Sequence, residues 1–181
     1  MPHHATTLPN VPSLTDSASS LRSQTALITP IGKICFEADE QYLYHLNLFC
    51  DDSTDIRHPT SSLAQEICRQ IAAYFNQPSH HFQLPVYLEG SDHQLKVWRA
   101  ISEIGAGNVS TYGELAARCQ SSSRAVGTAC GHNPVPLIIP CHRVVAATGL
   151  GGFAGGKTED TLRIKRWLLT HELFANKMIA K

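Results

Sequence analysis

The sequence lacks the features that would place it in a membrane or outside the cell. No stretch approaches the roughly 18 consecutive apolar residues that a membrane-spanning helix needs. The first residues contain no positively charged segment followed by an apolar one, so we expect no secretory signal. Six cysteines are spaced irregularly along 181 residues and do not resemble a disulfide framework. We therefore expect reduced thiols in a cytoplasmic protein.

The sequence also lacks the two common glycine motifs that bind nucleotide phosphates. Five glycines lie between residues 149 and 156. Their order is neither G-x-x-x-x-G-K-[ST] nor G-x-G-x-x-G after a strand. Such a segment suits a close approach of the backbone to a ligand, and it equally suits a flexible surface loop.

The net charge of the whole sequence is zero, but the two halves carry opposite net charges. Residues 1–90 carry four Lys and Arg against nine Asp and Glu, a net charge of −5. Residues 91–181 carry eleven Lys and Arg against six Asp and Glu, a net charge of +5. This asymmetry indicates that the second half meets an anionic partner, although two solvated surfaces could also differ by chance.

The first half predicts a tail followed by a small α/β domain. Residues 1–22 are rich in Ser, Thr, Pro and His and predict a disordered tail. Residues 23–88 predict the domain, with a turn at Pro30-Ile31-Gly32 before the first strand and another strand over 42–49. A helix is expected over 62–75, with Ser62 and Gln65 as its capping box, and residues 82–88 predict a last strand or an extended linker.

The second half, residues 89–176, predicts a helical domain. Ser91 and Gln94 form a capping box for a helix that closes at Gly105. Thr111 and Glu114 form a second capping box, which opens a short helix over 111–119. A three-residue turn joins this helix to another over 123–132, as in a helix-turn-helix, although most helical hairpins do not read DNA. A last helix is expected over 158–170. The fold class is therefore mixed α/β (α+β).

One hexapeptide, Pro140-Cys141-His142-Arg143-Val144-Val145, places a thiol beside an imidazole and a guanidinium. Neighbouring cations lower a thiol's pKa and create a nucleophile, with His142 as a base. Two other interpretations remain open. Cys141 could be a buried structural cysteine, or it could join Cys130, His132 and His142 in a zinc site, although that spacing is unusual.

Several motifs in order resemble those of the O6-alkylguanine-DNA alkyltransferases. They include the hexapeptide and five further segments that span roughly residues 91–172: Ser110-Thr111-Tyr112-Gly113-Glu114-Leu115-Ala116, Arg124-Ala125-Val126-Gly127, Asn133-Pro134, Gly155-Gly156 and Leu168-Leu169-x-x-Glu172. The resemblance implies a ribonuclease H-like first domain and a winged-helix-like second domain. It also implies single-use transfer of an alkyl group from O6-alkylguanine, and in some cases O4-alkylthymine, in DNA.

The resemblance assigns roles to five catalytic residues. Cys141 would accept the alkyl group, His142 would activate it through a bound water, and Glu172 would hold His142. Asn133 would fix the active-site backbone, and Tyr112 would help to rotate the target nucleotide out of the duplex.

The resemblance also implies a DNA surface and a substrate pocket. Arg124 would fill the gap left by the flipped base, while the small side chains of the second helix would enter the minor groove. The DNA-binding residues implied are Ser123, Arg124, Ala125, Gly127 and Thr128. The pocket residues implied are Pro136, Val144, Phe153 and Ala154.

No cofactor and no metal are expected, and the implied partner is double-stranded DNA bound by a monomer, with no membrane. Asp39 and Tyr44 stand where some members carry zinc ligands. The turn 120–122 is about two residues shorter than in many members, and Phe153 replaces a frequent tyrosine. Two rivals are a non-enzymatic lesion binder, which retained Cys141 opposes, and a transcription regulator, which would not need Cys141, His142 and Glu172 together.

Overall fold

The computed structural model describes residues 22–50, 58–156 and 158–179, with side chains as far as Leu173 in the last helix. The predicted tail therefore lies outside the described residues, apart from Arg22. The described chain divides between Leu88 and Glu89 into two compact units. It combines a small sheet with five helices, so the mixed α/β prediction is confirmed.

The first unit is built on an antiparallel sheet of three strands in sequence order: β1 (Ser23–Thr29), β2 (Gly32–Ala38) and β3 (Leu43–Asn47). Pro30 and Ile31 form the two-residue turn between β1 and β2, with Thr29 paired to Gly32. The turn was predicted, but the strand before it was missed. Gly32 has φ +115°, a conformation that favours glycine at the exit of such a tight turn.

Helix α1 (Ser62–Asn76) follows in the same unit. Leu63, Ile67, Ile71 and Tyr74 follow one another at spacings of four, four and three, which places them on one face of the helix, and all four are buried. The predicted capping box is wrong. Ser61 is the N-cap, because its side chain accepts the hydrogen bond from the backbone N–H of Ala64.

The segment after α1 is extended, with a single bridge to the sheet. Val86 pairs in parallel with Leu43. The backbone N–H of Leu43 donates to Pro85 at 2.8 Å, and the N–H of Tyr87 donates to the carbonyl of Leu43 at 2.9 Å. Of the two structures predicted for residues 82–88, the extended linker is therefore the better description.

A disulfide joins Cys35 on β2 to Cys50, just beyond β3. The expectation of reduced thiols is wrong for this pair. The two cysteines are 15 residues apart in sequence, but the β2–β3 connection brings their Cα atoms to 5.8 Å. Cys68, Cys119, Cys130 and Cys141 are free thiols.

The second unit contains α2 (Asp92–Ser102), β4 (Ser110–Thr111), α3 (Tyr112–Cys119), α4 (Ser123–Gly131), β5 (Val144–Val145) and α5 (Glu159–Ile179). Strands β4 and β5 pair in parallel. The capping boxes predicted at Ser91 and Thr111 are both present. Helix α2 ends at Ser102 rather than at Gly105, and α5 continues well beyond the predicted end at Thr170.

Helices α3 and α4 form the predicted pair around the turn Gln120–Ser122. Gln120 adopts the left-handed conformation with φ 51° and ends α3, and the side chain of Ser122 caps α4. None of the helices in the described ranges has the length and apolar character to cross a bilayer.

Candidate active site

Cys141 begins a single 3-10 turn, Cys141–Arg143, which leads directly into β5. Pro140 precedes it, and the backbone N–H of Cys141 donates to Ile139 at 2.8 Å. Only 3% of Cys141 is exposed, yet it lines a cavity of about 990 Å³. The thiol is therefore packed into the protein and still open to a ligand in that cavity.

The two side chains after Cys141 meet one carboxylate, that of Glu172 on α5. Nε2 of His142 lies 2.8 Å from Oε1 of Glu172. The guanidinium of Arg143 donates through Nε to Oε2 at 3.0 Å and through Nη2 to Oε1 at 2.9 Å, while its Nη1 donates to the carbonyl of Ile104. The backbone N–H of Gly107 adds a fourth donor at 3.2 Å.

This arrangement fixes the charge of Glu172. Burial alone would raise the pKa of the Glu172 carboxyl, but the hydrogen bonds and charges of His142 and Arg143 outweigh it and hold that pKa well below its usual range. Glu172 is therefore an ionised carboxylate that can only accept hydrogen bonds. Nε2 of His142 must then carry the proton of their shared hydrogen bond.

His142 is a neutral base aimed away from Glu172. Burial lowers the pKa of the His142 imidazole, and the hydrogen bond to Glu172 opposes this only in part. With the proton on Nε2, the free lone pair lies on Nδ1. Nδ1 is buried and has no hydrogen-bond partner among the described residues. The ring can therefore accept a proton through Nδ1.

The thiol itself is not activated in the way that the hexapeptide predicts. Burial raises the pKa of the Cys141 thiol, and a hydrogen bond with Asn133 and the charge of Lys165 oppose this rise. The predicted effect of neighbouring cations is wrong because His142 and Arg143 both turn toward Glu172. Cys141 is therefore a neutral thiol at rest, and it would need a base to remove its proton before it could act as a nucleophile.

Lys165 is the cation whose charge lowers the pKa of the Cys141 thiol, and it was not predicted from the sequence. Lys165 lies on α5 with its side chain fully buried. Its ammonium donates to the carbonyls of Val144 at 2.6 Å and Gly152 at 2.8 Å. Burial lowers the pKa of Lys165 to about 8. The available signal was a lysine in the apolar stripe of an amphipathic helix, three residues before Leu168 and seven before Glu172.

Asn133 closes the segment between α4 and the Cys141 turn. Its side-chain amide donates to the carbonyl of Ile139 at 2.8 Å, and its Oδ1 accepts from the backbone N–H of Val135 at 3.1 Å. These bonds join the start and the end of the chain segment that delivers Cys141. Asn133 is thus a backbone clamp that also contacts the thiol.

Most of the residues predicted to bind DNA or substrate line the cavity. Arg124 is exposed at its wall, and Tyr112 is half-buried with its hydroxyl donating to Gly152 at 3.2 Å. The predicted residues that line the cavity are Tyr112, Ser123, Arg124, Gly127, Thr128, Cys141, Phe153 and Ala154.

Six predicted residues do not line the cavity: Ala125, Asn133, Pro136, His142, Val144 and Glu172. Val144 is fully buried in β5, where it pairs with Ser110, and it supplies only its carbonyl to Lys165. Pro136 is also buried. The pocket roles expected of these two side chains therefore have no support from the cavity.

The glycine-rich segment forms one wall of the cavity at close quarters. Gly151 has φ +70°, and a Cβ there would lie 2.8 Å from Cε2 of Tyr112. A Cβ on Gly131 would lie 3.2 Å from the Cα of Gly155. These contacts show a close approach of this backbone to Tyr112 and Gly131, and its approach to a ligand stays a prediction. Phe153 is buried and packs edge-on against His142, with ring centroids 6.5 Å apart.

The two histidines proposed as zinc ligands make hydrogen bonds to other groups of the protein. His142 binds Glu172, and Nδ1 of His132 lies 2.8 Å from the carbonyl of Thr128. In the first unit, Oδ2 of Asp39 accepts from the hydroxyl of Tyr44 at 2.7 Å. Within the described parts of the chain, no three His, Cys, Asp or Glu side chains are grouped to hold a metal ion.

Comparison with known proteins agrees with this site. Residues 92–174 match the family model of the 6-O-methylguanine DNA methyltransferase DNA-binding domain. A methylated-DNA–protein-cysteine methyltransferase of Methanosarcina mazei is 38% identical over 152 residues, which cover 80% of this chain and 92% of that protein. The human methylated-DNA–protein-cysteine methyltransferase is 33% identical over 172 residues, covering 82% of this chain and 79% of its own length.

The fold has the same relatives. The crystal structure of Mycobacterium tuberculosis OGT in complex with DNA matches with a TM-score of 0.70 and 31% identity, over 84% of this chain and 93% of that one. Sequence and fold thus agree over most of the chain, including the segment that carries Cys141, His142 and Glu172. The chain belongs to the family of methylated-DNA–protein-cysteine methyltransferases.

Proposed function

We propose that this chain repairs alkylated DNA by direct reversal and that Cys141 is the residue that takes the alkyl group from O6-alkylguanine. One observation carries the assignment of Cys141. Its buried thiol lines the cavity, and the adjacent imidazole is held neutral, with Nδ1 free, by an ionised glutamate. Glu172 acts here as the orienting acid of a triad does.

The reaction balances without a cofactor. Nδ1 of His142 takes the thiol proton, directly or through a water, and Sγ of Cys141 attacks the alkyl carbon. A carbon–sulfur bond forms as the carbon–O6 bond breaks, and its electron pair stays with the guanine. Guanine takes up one proton at N1, which balances the proton lost by the thiol. The thioether has no good leaving group, so each molecule reacts once.

The base must leave the duplex to reach Cys141. A guanine O6 is inaccessible inside the stack, and extrusion costs a few kcal/mol. Arg124 is exposed on α4 at the cavity wall, which suits a side chain that fills the vacated position. Burial raises the pKa of Tyr112 to about 12, so its hydroxyl stays protonated. To donate to the base, this hydroxyl must exchange the carbonyl of Gly152 for the base. We assign α4 to the minor groove.

The finer organisation is proposed on the same basis. Residues 23–88 form a ribonuclease H-like domain after a tail over 1–22, and residues 89–176 form a winged-helix-like domain. The protein acts as a monomer on double-stranded DNA in the cytoplasm and requires no cofactor or metal. O4-alkylthymine is a further substrate.

The test is the intact mass of the protein after incubation with a duplex that carries one O6-methylguanine. Transfer adds one methyl group, and peptide mapping locates it on Cys141. Cys141→Ala should add nothing. Cys130 provides a matched control, because it lines the same cavity but burial raises its pKa to about 12. Cys130→Ala should react as the wild type does.

The alternative is a protein that binds the lesion without repairing it. If the protein binds the O6-methylguanine duplex tightly but its mass does not change, the protein is a lesion binder and not an alkyltransferase. A methyl group on Cys130 would reject Cys141 as the acceptor while leaving the activity in place.

A further inference from the structure

A single side-chain contact ties the start of α2 to the turn between α3 and α4. Nε2 of His93 lies 2.7 Å from the hydroxyl oxygen of Ser121. The two residues are 28 positions apart in sequence, and the contact is partly buried. Ser121 is the central residue of the three-residue turn, so this bond holds the turn from outside the helix pair.

The turn has few other restraints of its own. Gln120 bends the chain by adopting φ 51°, which is unfavourable for a residue with a Cβ. The backbone N–H of Ser121 donates to Ala116 at 2.8 Å, and Ser122 caps α4. Each of these bonds lies within the α3–α4 segment. His93 anchors the turn to a separate helix.

Helix α2 also holds the opposite end of α4. The indole N–H of Trp98 donates to the carbonyl of Ala129 at 2.8 Å, and both residues are buried. One helix therefore contacts α4 near its last turn through Trp98 and the turn that leads into α4 through His93. The His93 contact therefore adds a restraint on the direction of α4 at the end opposite the Trp98 contact.

We propose that His93 is a positioning residue for duplex binding, which fixes the turn before α4 through Ser121 and thereby the approach of Arg124 to the DNA. The inference rests on the proposed function, because it concerns how α4 meets the duplex. His93 is outside the cavity lining and takes no part in the chemistry of Cys141. Its loss should therefore affect binding of the duplex and spare reaction with a free base.

His93→Ala tests this by comparing two substrates. The first is a duplex with O6-methylguanine, and the second is the free base O6-benzylguanine, which needs no docking of α4. We expect the Kd for the duplex to rise about fivefold, the factor that one ordinary hydrogen bond represents, with an unchanged rate on the free base. His81→Ala, an exposed histidine of the other unit, is the control and should change neither.

A double-mutant cycle identifies the contact responsible. Ser121→Ala should weaken duplex binding as His93→Ala does, and the double variant should be no weaker than either, because both remove the same bond. His93→Gln keeps a side-chain amide of similar reach and should restore most of the affinity.

Additive losses in the double variant, equal losses on both substrates, or no change in duplex Kd would each overturn the role of His93. Failure of the wild type to transfer any methyl group would instead reject the proposed function. The wild-type reaction is therefore measured first.

Discussion

At the scale of single residues, the charge states in the site follow from one carboxylate. Glu172 is 1% exposed and accepts from His142, from the guanidinium of Arg143 and from a backbone N–H. A buried carboxylate with this many donors stays ionised, which forces the His142 proton onto Nε2. The positive charge of Arg143 neutralises the negative charge of Glu172. The base at Nδ1 is thus a consequence of how Glu172 is held.

The first prediction concerns the pH dependence of transfer. Burial lowers the pKa of His142 below its usual value of about 6.5, so the neutral base persists as the pH falls through 6.5. We expect the rate with free O6-benzylguanine to stay level as the pH falls from 7.5 to 6.5 and to decline only below that value. An inflection near 6.5 would show that His142 titrates as an exposed imidazole does. His142→Ala should slow transfer by about 100-fold or more across that range.

The second prediction concerns Lys165 and the stability of the second unit. Its pKa is about 8 in the folded protein, against about 10.4 for a free lysine. Between these values the unfolded chain binds more protons, so the free energy of unfolding gains a contribution that rises with pH. The difference in stability between the wild type and Lys165→Met should therefore shift in favour of the wild type from pH 8 to pH 10.

Denaturant unfolding followed by tryptophan fluorescence measures this difference. Both tryptophans, Trp98 and Trp167, lie in the second unit, so the signal reports the unit that contains Lys165. Exposed Lys96 supplies a control as Lys96→Met, which should keep the pH dependence of the wild type. A constant difference between the wild type and Lys165→Met would contradict the lowered pKa.

The residues of the site were predictable to different degrees. Cys141 and His142 stand out because ionisable residues interrupt an apolar run, whereas Glu172 emerges only from the family resemblance. Lys165 has no local signal except its place on the apolar face of α5. The direction of the thiol pKa was wrong because adjacency in sequence does not say where a side chain points. Arg143 follows Cys141 closely but binds Glu172.

At the scale of elements, the turn between α3 and α4 contains a strained residue that can be relieved. Gln120 has φ 51°, where a residue with a Cβ is strained by about 1–2 kcal/mol. Glycine has no such strain, although it loses more chain entropy on folding.

The third prediction is that Gln120→Gly stabilises the second unit by about 0.5–1 kcal/mol. The measurement is denaturant unfolding at pH 7, with Ser102→Gly as the matched control. Ser102 ends α2 without a left-handed conformation, so glycine there should destabilise. A loss of stability in Gln120→Gly would mean that the chain entropy lost by glycine outweighs the strain at Gln120 and would contradict the prediction.

Elements with strong local signals were predicted well, and those that depend on pairing were not. The capping boxes at Ser91 and Thr111 are read from spacing alone, and both exist. Strand β1 has no clear alternation, and it forms because the turn at Pro30 folds it against β2. The cap was predicted at Ser62 instead of Ser61 because the two adjacent serines have equal local preference.

At the scale of the whole molecule, opposite charges are divided between the two halves of the sequence. The half that contains α4 and the cavity carries the net charge of +5. A basic unit gains affinity for DNA by releasing the counterions condensed on phosphates, and this gain weakens as salt is added.

The fourth prediction is that salt separates binding from chemistry. From 50 to 200 mM salt, the affinity for an undamaged duplex should fall tenfold or more, which corresponds to roughly two neutralised phosphates. The rate with free O6-benzylguanine should change less than about twofold, because that reaction needs no phosphate contact. Fluorescence anisotropy and single-turnover mass spectrometry measure the two quantities. If salt reduced the duplex affinity and the free-base rate by the same factor, residues 91–181 would not bind DNA through their positive charge.

The Cys35–Cys50 disulfide places an oxidised pair in the same chain as a thiol that must remain reduced to react. Oxidants attack thiolates that they can reach. Cys141 resists on both counts, since it is 3% exposed and burial raises its pKa. The packing around Cys141 therefore protects the thiol from oxidation. Small oxidants meet little thiolate at Cys141. In the proposed reaction, the thiol loses its proton to His142 only when an alkylated base is bound.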